Sequence, residues 1–124
     1  MTETIATRPL SEAERRLAQW MLEQGGPAAS SFLEQLACAE ATMWRCACGC
    51  ASFDFKVTGQ PVAPPGVGLL GDFMVDEGAD SYGVFIYQSD GILSGVEVYG
   101  LGGDAPKTLP EPQQLRPLPL GVLG

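Results

Sequence analysis

Histidine and asparagine are absent from all 124 residues. The first absence removes the side chain most often used as a general base, so Ser-His-Asp and Cys-His catalytic arrangements are excluded. It also removes the commonest metal ligand. No apolar run reaches the roughly 18 residues that signal a transmembrane helix. Positive charge is scarce too: 7 Lys and Arg stand against 15 Asp and Glu, for a net charge of −8. None of the seven falls between Lys56 and Lys107, an interval that holds Asp72, Asp76, Glu77, Asp80, Asp90, Glu97 and Asp104. A field of that sign repels phosphate backbones, so nucleic-acid binding is not expected. It steers a basic protein partner at long range. The first 16 residues lack the basic-then-apolar order of a signal peptide. The expected compartment is therefore the cytoplasm, without membrane association, where four cysteines stay reduced.

What the chain does have is two patterns in sequence. Ser11 and Glu14 stand at capping-box spacing behind Leu10, and Leu17, Trp20 and Met21 continue at helical spacing. Gly25-Gly26-Pro27 stops that helix. Ser31 and Glu34 repeat the capping spacing before Phe32, Leu33, Leu36 and Ala37. These signals predict helices over 11–24 and 31–42, joined as a helical hairpin. Trp20, Phe32 and Trp44 are expected in the core. From residue 51 the apolar period becomes two, which is the mark of half-buried strands. Strands are expected over 52–57, 69–75, 82–88 and 92–99. Ser89-Asp90-Gly91 is placed as a hairpin turn of the kind Asp-Gly favours. In the last strand, strict alternation puts Ile92, Val96 and Val98 on one face and Leu93, Glu97 and Tyr99 on the other.

The expected fold is α+β: an N-terminal helical hairpin packed on a four-stranded antiparallel meander, with a Pro-rich C-terminal extension. Residues 1–10 read as a flexible tail, 11–104 as a single domain, and 105–124 as a Pro/Leu-rich strap or tail. An exposed edge strand would make a homodimer as accessible as a monomer.

The most pointed chemistry is Cys46-Ala47-Cys48-Gly49-Cys50, with a further thiol at Cys38. Three readings stand beside one another. Four thiolates suffice for a tetrahedral zinc ion. In an extended C-x-C-x-C, however, successive thiols lie about 6–7 Å apart, too far to share one ion unless Gly49 folds the backbone. A dithiol could instead be redox active. As small hydrophobes the cysteines could also be buried packing. Cys46 to Cys50, with the strand that follows and Gly91 to Val98 as a closing strand, resembles a group of short bacterial proteins in which a C-x-C-G-C turn precedes a small meander. That resemblance implies a fold type and no reaction. Cys46-Ala47-Cys48-Gly49 also resembles the opening of the SEC-C zinc motif, which continues with a basic stretch and a second cysteine pair. Here Ala51-Ser52-Phe53-Asp54-Phe55 follows instead.

Asp76, Glu77 and Asp80 lack the ligand order of a calcium loop. The glycine clusters lack the Lys-Ser/Thr of a phosphate cradle. The leading expectation is thus a non-enzymatic acidic protein, without cofactor, that binds a basic protein partner in the manner of an inhibitor or immunity protein. Asp76, Glu77, Asp90, Glu97, Tyr87 and Tyr99 are its contact residues. The alternative is a structural zinc module built on Cys38, Cys46, Cys48 and Cys50.

Overall fold

Among the described residues seven antiparallel strands form one sheet in the order β1-β2-β3-β6-β5-β4-β7, with the helices packed against it. The computed structural model describes residues 6–117. The strands are β1 (Thr7–Arg8), β2 (Ala39–Thr42), β3 (Phe53–Val57), β4 (Gly68–Val75), β5 (Tyr82–Ser89), β6 (Ile92–Gly100) and β7 (Arg116–Pro117). The helices are α1 (Glu12–Gln24) and α2 (Leu33–Ala37). No helix among the described residues is long and apolar enough to cross a membrane.

α1 begins where its capping box predicts. The Ser11 hydroxyl accepts the Glu14 N–H at 3.1 Å, and Glu14 Oε1 accepts the Ser11 N–H at 2.8 Å. Two orphan amides are satisfied in this way. Arg8 adds a two-pronged pair to the same carboxylate, at 2.8 and 2.7 Å. Thr7 and Arg8, expected in a frayed tail, pair with Thr42 and Ala41. Leu17, Ala18, Met21 and Leu22 are fully buried against the sheet, which meets them with Phe53, Phe55, Val84, Ile86, Val96 and Val98.

The second helix is a correction. A single 3-10 turn over Ala29–Phe32 precedes α2, which ends at Ala37. The Ser31 hydroxyl donates to Ala28 O instead of capping a helix. Ala39 to Thr42 then leaves helical geometry altogether, because Ala39 and Ala41 bury alternately while pairing with Val57 and Phe55. Trp44 is 46% exposed and lies outside the core, and Trp20 and Phe32 are only partly buried.

The four-stranded meander is also revised. β4, β5 and β6 are sequential neighbours, but β3 pairs with β6 rather than β4. The 58–67 loop therefore carries the chain across to the other side of the β5–β6 hairpin. Asp90 (φ 54°) and Gly91 (φ 77°) turn that hairpin, as type I′ geometry requires. A bulge falls where Tyr87 pairs with Gly95 and Gln88 with Leu93. One residue is absorbed there, the parity flips, and Leu93 becomes fully buried rather than outward. Beyond residue 104, Leu115 is buried and Arg116 and Pro117 pair with Met74 and Phe73 of β4. Leu118 and Leu120 lie outside the described residues.

Candidate functional site

The thiol turn is built from Thr42 to Ser52, between the end of β2 and the start of β3. The Gly49 N–H donates to Cys46 O at 3.0 Å and closes a four-residue turn. Gly49 leaves it with φ +81°, a conformation that costs a residue with a Cβ about 1–2 kcal/mol. The Ala51 N–H donates to Pro106 O at 3.0 Å, which ties the turn to the C-terminal segment. Ser52 anchors the other side, since its buried hydroxyl accepts the Val98 N–H at 3.0 Å. The extended geometry that would keep the three thiols apart is thereby broken.

As a result the Sγ atoms of Cys46, Cys48 and Cys50 all lie within 4.8 Å of one another. Cys46 and Cys48 approach to 2.9 Å. Sulfurs held at about 2.3 Å from a tetrahedral ion sit about 3.8 Å apart, so the three are spaced for one ion after small adjustments. Among the described residues no fourth ligand atom from His, Cys, Asp or Glu joins this group. Cys38 does not belong to it. It caps the end of α2, its carbonyl accepts the Thr58 N–H at 2.9 Å, and it is exposed. The structure thus brings three of the four thiols together and leaves Cys38 apart. Buried packing holds only in part: Cys38 and Cys48 are exposed, while Cys46 and Cys50 are partly buried and Cys50 packs against the core.

The three sulfurs differ electrically. Hydrogen bonds with Cys46 and Cys50 favour the neutral Cys48 thiol and push its pKa up to about 11. Partial burial acts to raise Cys50, but hydrogen bonds from the Ser52 hydroxyl and N–H and from the neighbouring thiols outweigh it and bring the pKa down to about 7. The Cys50 thiol donates to Ser52 Oγ at 3.3 Å, and the Ser52 hydroxyl in turn donates to Val98 O at 3.5 Å. Beside the turn, Arg45 and Lys107 line the same cleft as Cys50. So does Glu14, whose carboxylate is already held by Arg8 and by the Ser11 N–H.

The expected partner-binding residues do not form one patch. Tyr87, Glu97 and Tyr99 share the sheet face away from the helices. Asp76 and Glu77 follow β4 at one end of β5, and Asp90 follows β5 at the other. Eight strand residues separate the two ends, about 26 Å at the usual rise. Asp76 is also engaged by Arg116. Asp54, Asp72 and Phe85, which were not among the expected contact residues, organise that face. The Tyr87 hydroxyl reaches over Gly95 to Asp54 at 3.4 Å, and the Tyr99 hydroxyl reaches over Gly83 to Asp72 at 3.2 Å. Phe85 packs between the two tyrosines, with ring centroids at 5.5 and 5.8 Å. Burial raises Asp54 and Asp72, with the tyrosine hydrogen bonds partly offsetting it. Burial and the facing carboxylates push both phenols up to about 12. Asp54 and Tyr87 also line a cavity of about 330 Å³ under the Pro-rich 58–67 loop. The period-two pattern of β3 does place Asp54 outward, which was the available signal. No protein-family model, curated protein or solved structure matches this chain.

Proposed function

We propose that this protein is a metal-ion-binding module whose ligands are the thiolates of Cys46, Cys48 and Cys50. The observation that carries the reading is their mutual approach within 4.8 Å on a turn held by Gly49, Ser52 and Pro106. Three soft donors converging at a surface, one of them poised to ionise near neutrality, suit a thiophilic ion. Native mass spectrometry of reduced protein, before and after exposure to zinc, cadmium and monovalent copper, tests it. Retention of one ion per chain, with three thiols shielded from alkylation, is the expected result. Bare polypeptide under every condition, with all four thiols reacting alike, overturns it.

A second reading keeps the acidic sheet face as a docking surface for a basic protein segment. It is favoured by the aromatic row Tyr87-Phe85-Tyr99 with Asp54, Asp72 and Glu97 around it. Aromatic centres rimmed by charge are typical interface anchors. Association that weakens steeply with added salt supports it, and binding indifferent to salt counts against it.

A further inference from the structure

We infer that the ion the thiol turn takes is monovalent copper, held in a three-sulfur trigonal site, in preference to divalent zinc. The inference rests on the ion-binding reading and specifies its ligand. Three features of the site carry it.

The first is the number of donors. Structural zinc sites are almost always closed by four protein ligands. Here three sulfurs converge, and among the described residues no fourth His, Cys, Asp or Glu ligand atom joins them. Cys38 sits at the end of α2, engaged through its carbonyl with Thr58. Glu14, the carboxylate in the adjoining cleft, is committed to Arg8 and the Ser11 amide. Zinc bound here would need water to complete its shell. Monovalent copper is satisfied by two or three soft ligands.

The second is the kind of donor. The group is all sulfur, and the chain contains no histidine to add a harder nitrogen. Thiolates select soft ions, monovalent copper and zinc among them, over metals that prefer nitrogen and oxygen; between those two it is the number of donors that favours copper.

The third is charge. Arg45 and Lys107 line the cleft beside Cys50, and Lys107 Cε would lie 3.9 Å from a Cβ placed on Gly49. These cations offset the net negative charge of a monovalent ion bound by three thiolates. They also oppose the extra positive charge a divalent ion brings. No electron transfer is involved. The metal arrives as the monovalent ion, three metal–sulfur bonds form, and the protons still carried by the thiols leave to solvent. The site lies at the surface, with Cys48 exposed. A ligand-exchange partner therefore has direct access to at least one sulfur.

The test is anaerobic titration of fully reduced protein with monovalent copper against bicinchoninate, alongside titration with zinc against a chromophoric chelator. One copper per chain is expected, bound more tightly than zinc. Cys46→Ser, Cys48→Ser and Cys50→Ser should each weaken copper binding sharply, while Cys38→Ser should leave it unchanged. Circular dichroism of each variant separates loss of the site from loss of the fold. Zinc binding tighter than copper through the same three cysteines overturns the copper assignment and leaves the ion-binding reading standing. Failure of both ions to bind overturns the two together. Loss of copper binding in Cys38→Ser overturns the three-sulfur site.

Discussion

The Ser52 hydroxyl accepts the Val98 N–H at 3.0 Å and lies 3.3 Å from Cys50 Sγ. One buried oxygen therefore links the middle of the sheet to the thiol turn. Ser52→Ala leaves the Val98 amide without its partner, which costs about 1–3 kcal/mol. It also removes a hydrogen bond that favours the Cys50 thiolate. The expected outcome is a lower chemical-denaturation midpoint together with slower alkylation of Cys50 at neutral pH. A variant that loses stability but alkylates at the wild-type rate would separate the two roles.

Gly49→Ala tests the turn itself. At φ +81° a Cβ costs about 1–2 kcal/mol locally. Because Gly49 is exposed and its nearest neighbour is a flexible lysine end, the strain is relieved by opening the turn rather than by unfolding the core. Ion affinity should fall by about tenfold for each 1.4 kcal/mol, while the thermal midpoint moves little. Equal losses in both measurements would place the turn within the cooperative core.

Gly83 and Gly95 make room for the tyrosines that cross them. A Cβ on Gly83 would sit 2.2 Å from Tyr99 Cζ, and one on Gly95 would sit 2.9 Å from both Tyr87 Oη and Asp54 Oδ1. Gly83→Ala must expel Tyr99 from its contact with Asp72, with an overpacking cost of about 1–3 kcal/mol. In the Tyr99→Ala background the same substitution should cost much less. Additive losses in that double-mutant cycle would show that the clash is with something else.

Alkaline titration reads the same face. Tyr87 and Tyr99 have pKa values of about 12 in the folded chain against an ordinary value of 10.0. Between those values the unfolded chain has lost phenolic protons that the folded chain keeps, so stability falls as pH rises. It is fully present below pH 10. Denaturation midpoints should decline across pH 10 to about 12, and Tyr87→Phe/Tyr99→Phe should flatten that decline. An unchanged slope in the double variant would assign the decline to other groups.

The parts of the fold legible in the sequence are those fixed by neighbours along the chain. The Ser11–Glu14 box sets the start of α1, and Asp90-Gly91 sets the β5–β6 turn. β2 was illegible because Leu36, Ala37 and Ala41 continue a helical stripe as readily as Ala39 and Ala41 begin a strand. Only pairing with Val57 and Phe55 decides between them. The burial of Leu93 depends on a bulge, and β3 beside β6 is a non-local choice no periodicity reveals. At the thiol turn the residues were legible but their convergence was not. It depends on the φ of Gly49 and on a clamp from Pro106, more than fifty positions away. Cys38 was expected on a helix that only a close helix–turn arrangement would bring near the others, and the end of α2 leaves it apart.

The most direct measurement is X-ray absorption at the metal edge of copper-loaded protein, which counts the atoms bound to the ion. The account predicts three sulfur scatterers and no nitrogen or oxygen shell, with one sulfur lost in each of Cys46→Ser, Cys48→Ser and Cys50→Ser. A shell dominated by oxygen or nitrogen, or a sulfur count unaffected by those substitutions, would contradict it.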